Sequence, residues 1–306
     1  MNWFKVTIRL KSATGTPWQA DTVFGHLCWV LAHRDGEAAL RQFLQPFLDG
    51  EPTFLLSDGF PPGFLPRPLT FKLPADDTPE QFRKNRQLRK LAFLNDGDFS
   101  RAVYGEVFKP EDNSAELKRK SSTRAVLKNQ ISRLTGTTGE EGNLFGFIEH
   151  WMPEVVIYGK VHEDYEDALK ELFRDFKYFG YGKRKAVGYG AIDTLGFTPF
   201  EGFPVPDGAN GFVALSAFVP LPDDPTEGCW RLRVKYGRLG EEFAFSENPF
   251  KKPLVMLEPG SVFYDMQVKE HYGRMLKDVS AVHPEVVHYG YALPVAMRLP
   301  EDRSHE

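Results

Sequence analysis

Cysteine is nearly missing from this sequence: 306 residues contain two, Cys28 and Cys229, far apart and with no CxxC spacing. That excludes a disulfide framework and a cysteine zinc site. Long apolar runs are missing too. No stretch approaches the roughly 18 residues of a membrane span, and the N-terminal MNWFKVTIRLKS alternates where an export signal has an apolar block. A reducing cytoplasm, with no membrane partner, is the expected setting. The eight histidines form neither HxxxH nor HExxH, and no GxSxG appears, so neither a metal nor a serine nucleophile is expected.

Charge of one sign is lacking only in the sum. The net charge is −4, yet between Arg83 and Arg133 there are 13 Lys and Arg against 6 Asp and Glu. An acidic body carries one basic segment, and a local patch matters more to a polyanion than the total.

What is present reads as an α+β protein. Phe4, Val6, Ile8 and Leu10 alternate with Lys5, Thr7, Arg9 and Lys11, the period of a half-buried strand. Asp21 offers an N-cap for a helix running to Gly36, and a second helix follows over Glu37–Leu48. PTFLLSD (52–58) reads as a short strand with Asp58 in a turn, and the Pro/Gly-rich 57–69 reads as a loop. From about 70 to 142 the chain turns polar and basic, as an insertion does. Strands resume at LFGFIEHW and EVVIYGKV, a helix follows through Ala168–Phe176, and AVGYGAIDTLGF closes the unit. Without the insertion this is strand, helices, strand, strand, helix, strand, the ferredoxin-like plan with an antiparallel sheet. Residues 203–306 read mostly as strands and form a second, β-rich domain after 1–202.

The densest feature is FGYGKRKAVGYGAI, where Gly180, Gly182, Gly188 and Gly190 bracket Lys183, Arg184 and Lys185, with Tyr181 and Tyr189. It is not a Walker loop, because Arg184 stands where Ser or Thr would bind magnesium. Nor does it suit a dinucleotide, because it lies between a helix and a strand, the reverse of the order that aims a helix N-terminus at phosphate. Two readings remain. In one, Gly180 ends the helix and the cations form a solvated tip. In the other, the glycines admit an RNA backbone, the cations neutralise it and the tyrosines stack on bases. The basic segment adds Lys118, Arg119, Lys120, Arg124, Lys128 and Arg133, with the amides of Asn129 and Gln130, as either routine surface charge or an RNA-contacting element. His26 is the one histidine suited to acid/base chemistry, with a structural role as its alternative.

Taken together, DTVFGHLCW, SDGFPPGFLPRPL, NQISRLTGTTGEEGNLF, GYGKRKAVGYGAI, NPFKKPLVMLEPGSVF and HYGYALPV resemble the fourth-subunit family of the Csm complex, the type III-A CRISPR effector, within the RAMP superfamily. The resemblance spans residues 21–295. It implies two ferredoxin-like (RRM-like) domains, a basic thumb-like insertion in the first, and capture of the crRNA 5′ handle without catalysis or cofactor. It also implies contacts with the large polymerase/nuclease subunit and a backbone RAMP subunit, and with target RNA only indirectly. On this resemblance the RNA-binding residues are Gly180, Gly182, Lys183, Arg184, Lys185, Gly188 and Gly190 in the loop, and Arg124, Lys128, Asn129 and Arg133 in or beside the thumb. Phe24, Gly25 and His26 match the first-helix signature, and Lys251 and Lys252 the basic pair before GSVF. Where the family pattern has Asn-Arg, this chain has Asn129-Gln130. The contrasting expectation is a metal-independent repeat-processing endoribonuclease with His26 as its acid/base.

Overall fold

The computed structural model describes residues 1–75, 78–129, 131, 133–137 and 144–300. The chain runs through β1 (Asn2–Leu10), α1 (Ala20–Leu48), β2 (Phe54–Leu56), β3 (Phe64–Pro66), α2 (Pro79–Leu88), β4 (Phe93–Asn95), α3 (Asp96–Val103) and α4 (Ser114–Lys120). There follow β5 (Ser122–Asn129), β6 (Leu144–Trp151), β7 (Glu154–Val161), α5 (Glu166–Phe176) and β8 (Ile192–Pro199). The remainder holds β9 (Gly211–Ala214), β10 (Gly228–Cys229), β11 (Leu232–Lys235), β12 (Leu254–Leu257), β13 (Val262–Tyr264), β14 (Tyr272–Gly273), β15 (Tyr291–Ala292) and β16 (Pro294–Met297).

Strand β1 is central because its alternation gives it one apolar face. Phe4, Val6, Ile8 and Leu10 are buried, whereas Lys5 and Arg9 are exposed. It pairs antiparallel with β7 on one side and β8 on the other, and β2 adds to β7, giving the order β2-β7-β1-β8. On the polar face two of the cations are matched: Arg9 lies 3.4 Å from Glu154 and Lys11 3.3 Å from Asp193. A second antiparallel sheet has the order β10-β13-β9-β16. Ranked by appearance along the chain, both sheets read second, third, first, fourth. Among the described residues after 203 there is no α-helix, only a 3-10 turn over Glu241–Phe245. None of the described helices is long and apolar enough to cross a membrane.

Helix α1 is broken at Gly36, whose φ of 86° leaves the helical region, so the two expected helices run on from one another. Its start differs from expectation. Gln19 is the N-cap and makes no side-chain capping bond; Asp21 already lies inside the first turn. The cap arrives from a distance, since Asp58 Oδ1 accepts the Ala20 N–H at 2.9 Å, satisfying one of the orphan donors of the first turn. Segment 70–142 is not a simple appendage either. Leu94, Phe99, Ala102, Val103 and Phe108 are buried in the main core, and β4 pairs with β3. What projects is the β5–β6 hairpin, so LFGFIEHW is a strand but pairs with β5 outside both four-stranded sheets.

The main hydrophobic cluster runs through residue 202 without a break, joining Phe24, Phe47 and Phe54 to Val213, Tyr289, Tyr291 and Leu293. Tyrosines carry polar bonds across it: Tyr291 Oη donates to the Phe47 carbonyl at 2.6 Å, and Tyr289 Oη accepts the Leu56 N–H at 3.2 Å.

Candidate nucleic-acid interface

The loop 180–190 is a closed structure. Tyr181 N–H donates to Gly190 O at 2.9 Å across its neck, and Gly190 N–H donates to Ala13 O at 2.9 Å. All four glycines have positive φ. A Cβ on Gly180 would meet Gly190 O at 2.8 Å, and one on Gly182 would meet Thr16 at 2.9 Å, whereas at Gly188 the space is open. Three of the glycines therefore serve the close folding of the loop on itself and on segment 13–16; Gly188 alone has room around its α-carbon. Gly190→Ala, whose Cβ would overlap the Tyr181 carbonyl, is expected to cost about 2 kcal/mol. Gly188→Ala is expected to cost about 1 kcal/mol, from its φ alone. Urea unfolding midpoints check the difference.

Tyr181 is not a platform for bases. It is 0% exposed, stacked on Trp18 at 3.8 Å and 6°, and its hydroxyl donates to Pro17 O at 2.5 Å while accepting from Gln19 N–H at 3.0 Å. Phe24 is likewise unavailable, at 3% exposure among Phe43, Phe47, Phe54 and Tyr289. Gly25, by contrast, has open space at its Cβ position.

His26 holds the loop. Its Nε2 accepts the Gly182 N–H at 2.9 Å, and burial, reinforced by Lys185 nearby, pushes its pKa down to about 3. As a neutral acceptor of a backbone N–H, His26 fastens the loop to α1. A folded pKa below the unfolded one means that the unfolded state takes up a proton first. The His26 contribution is thus fully present above about pH 6.5 and is lost as pH falls from there towards 3, at up to about 1.4 kcal/mol per unit. A pH series of unfolding midpoints should show a slope that His26→Asn reduces.

The two basic segments meet. In the β5–β6 register Arg124 opposes Glu149, Val126 opposes Phe147 and Lys128 opposes Phe145, so these six share one face of the hairpin. That face packs on the glycine loop. Arg184 lies over Phe145 at 4.4 Å and Phe147 at 4.8 Å, Lys183 lies 5.3 Å from the Phe147 ring, and Lys128 sits 5.1 Å above Tyr189. Phe147 meets Tyr189 edge-on at 5.0 Å. Glu149, 4% exposed, gathers the cluster: Tyr189 Oη donates to it, Arg124 Nε donates at 2.8 Å, and Lys128 lies at 3.4 Å. The Tyr189 hydroxyl first, then Arg124 and Lys128, hold its carboxyl below the usual range against the effect of burial.

Four cations and one carboxylate make this patch net positive by three, floored by aromatic rings. Phe145, Phe147 and Glu149 were not singled out from the sequence. The signal was present, as every second residue of LFGFIEHW on one strand face.

Other expected residues fall elsewhere. Asn129, the last residue of β5, and Arg133, in the connection to β6, are exposed, while Gln130 lies outside the described residues. Lys185 turns away from the hairpin to Glu241, 2.7 Å from its Oε1. Lys252 is exposed, but Lys251 is half-buried: its Nζ donates to Val287 O at 3.0 Å, and desolvation pushes its pKa down to about 8.

Lys251 borders a polar cluster under the start of α1. Asp21 is paired with Lys235 Nζ and lies 3.1 Å from His288 Nε2. Lys235 Nζ also donates to Gln19 Oε1 at 2.8 Å and Thr22 Oγ1 at 2.9 Å, and Arg233 lies 3.6 Å from Asp58. One side of this cluster is α1, the other β11 and the chain around His288.

No family model and no curated protein matches the sequence. Solved structures do match its fold. A chain of the Csm1-Csm4 cassette crystallised with pppApA superposes with a TM-score of 0.68 at 18% identity, covering 98% of this chain and 100% of that one. A chain of the Csm3-Csm4 subcomplex of the type III-A CRISPR-Cas interference complex superposes at 0.62 and 12% identity, again over 98% and 100%. A chain of the type III-B Cmr-beta complex bound to cognate target RNA gives 0.50 at 12% identity over 85% and 86%. Csm4 is common to the first two assemblies, and the fold is Csm4-like.

Proposed function

We propose that this protein is a non-catalytic RNA-binding subunit of a type III-A CRISPR (Csm) complex. In this reading it captures the crRNA 5′ handle and bridges the large polymerase/nuclease subunit to the backbone RAMP subunits, meeting target RNA only through the guide. The observation that carries the reading is the meeting of Lys183 and Arg184 with Arg124 and Lys128 over Phe145 and Tyr189, from segments some 60 residues apart. Cations over half-buried rings suit a single strand, whose phosphates they neutralise beside apolar surface that a base can contact. The Csm4-like fold supports the assembly.

The shared strand order of the two four-stranded sheets supports two ferredoxin-like units, 1–202 and 203–306, the second with irregular chain where helices would stand. The β5–β6 hairpin is then the thumb. The endoribonuclease alternative is disfavoured by His26, whose Nε2 is occupied by the loop it supports.

The test is co-expression with a CRISPR array and partner subunits, followed by sequencing of the RNA that purifies with the complex. Handle-bearing crRNA is the expected result. A complex assembled without it, or purified protein that cuts repeat RNA and stops when His26→Ala is introduced, overturns the reading.

A further inference from the structure

Lys185 behaves unlike its two neighbours in the glycine loop. Lys183 and Arg184 face the hairpin rings, whereas Lys185 Nζ lies 2.7 Å from Glu241 Oε1, with 27% and 31% of the two side chains exposed. Glu241 reaches the loop from 56 residues further along and adopts a left-handed backbone, φ 47°. A non-glycine residue keeps that conformation only where its surroundings hold it. Here they do: Phe243, in the same 3-10 turn, meets Trp29 of α1 at 5.8 Å and His283 at 4.4 Å, and Leu239 N–H donates to Pro249 O at 2.7 Å. The carboxylate is delivered to Lys185 by a segment fixed through other contacts.

We propose that Glu241 is an internal competitor for RNA at the loop: its carboxylate occupies Lys185 in the free protein, where an RNA phosphate does so in the complex, and RNA must displace it. This rests on the RNA-binding reading of the same loop. A ligand held only by scattered charge gains little at Lys185, because it must break an existing pair and then lie beside a bare carboxylate. A ligand already seated against the hairpin cations and rings supplies its phosphate at high local concentration. Glu241 thereby takes affinity chiefly from RNA that does reach Lys185, and little from RNA that does not.

The experiment measures binding of a handle-sequence RNA and a scrambled RNA of equal length to the full-length protein and to Glu241→Gln, Lys185→Ala and the double variant, with thermal midpoints confirming that each is folded. Glu241→Gln is expected to tighten handle RNA about three- to fivefold, the scale of a partly exposed ion pair, and scrambled RNA, which engages Lys185 less, by less. Lys185→Ala is expected to weaken binding more when combined with Glu241→Gln than when made alone. If Glu241→Gln leaves binding unchanged or weakens it, or if the two substitutions act additively, the pair is only a tie between the loop and the second half, and the inference falls. Unchanged RNA binding by Lys183→Ala/Arg184→Ala would remove the RNA reading itself, a separate outcome.

Discussion

Replacing Asp21 by Ala is expected to destabilise the fold by about 3–5 kcal/mol, the cost of leaving a buried partner charge uncompensated. Asp21 is 6% exposed and takes an ammonium from Lys235, with His288 at 3.1 Å. Burial pushes its carboxyl up, but Lys235 and His288 outweigh that and hold it far below the usual carboxylate range. Without it, Lys235 keeps Gln19 and Thr22, both uncharged, as hydrogen-bond partners among the described residues, and the first turn of α1 loses an acid favoured by the helix dipole. Chemical unfolding measures the loss.

Two further measurements bear on Asp21. If the loss arises from the stranded ammonium, Asp21→Leu combined with Lys235→Met should recover most of it, since buried ion pairs exchanged whole for apolar groups cost little. A double variant no more stable than Asp21→Ala would instead assign the loss to the helix start. The sign with pH is fixed by the depressed value: the Asp21 contribution is fully present above the unfolded carboxylate pKa near 4 and is lost only as pH falls below it. His288 and His26, both depressed chiefly by burial, lose their contributions earlier, from about pH 6.5 downward. Acid sensitivity should therefore set in as two stages in native protein, and the lower stage should shrink with Asp21→Ala.

Local pattern was a good guide wherever structure is set by neighbours in sequence. The alternation of Phe4 to Leu10 and the break at Gly36 follow from periodicities of two and 3.6 and from the conformational freedom of glycine. It was a poor guide where a partner lies far along the chain. Asp21 resembled an N-cap because local cap chemistry favours Asp, yet the capping oxygen belongs to Asp58, 38 residues on from Ala20, and Asp21 is engaged by Lys235. Lys251, an RNA-binding residue on the family resemblance, is instead engaged by the Val287 carbonyl, a partner no local pattern shows. From the sequence the glycines of the loop suit either a helix end at Gly180 or the close approach of an RNA backbone. Gly180, Gly182 and Gly190 instead answer to the Gly190 carbonyl, Thr16 and the Tyr181 carbonyl, all contacts of the folded loop. The cations of both basic segments were legible from composition, but not their meeting, because the β5–β6 register that aligns Lys128 with Phe145 is a tertiary fact.

That meeting leads to the largest expected effect on binding. Arg124→Ala, Lys128→Ala, Lys183→Ala and Arg184→Ala combined should reduce the affinity for single-stranded RNA by about 100-fold or more near physiological salt, since each lost phosphate contact removes its released counterions. The salt dependence is the sharper readout. Glu149 already neutralises one of the four cations, so about three phosphates are at stake, and at about 0.7 per phosphate the slope of log K against log salt should become shallower by about 2. Pairs of substitutions divide the patch. Lys183→Ala/Arg184→Ala removes the loop cations and leaves Glu149 satisfied by Arg124, Lys128 and Tyr189. Arg124→Ala/Lys128→Ala instead strips that carboxylate of its two cations beside the RNA path, so this pair should lose more affinity than its charge alone predicts. Glu149→Gln in the same background should restore the excess. A slope that does not change in the fourfold variant would show that these cations serve packing against Phe145 and Phe147, and that the phosphates are held elsewhere.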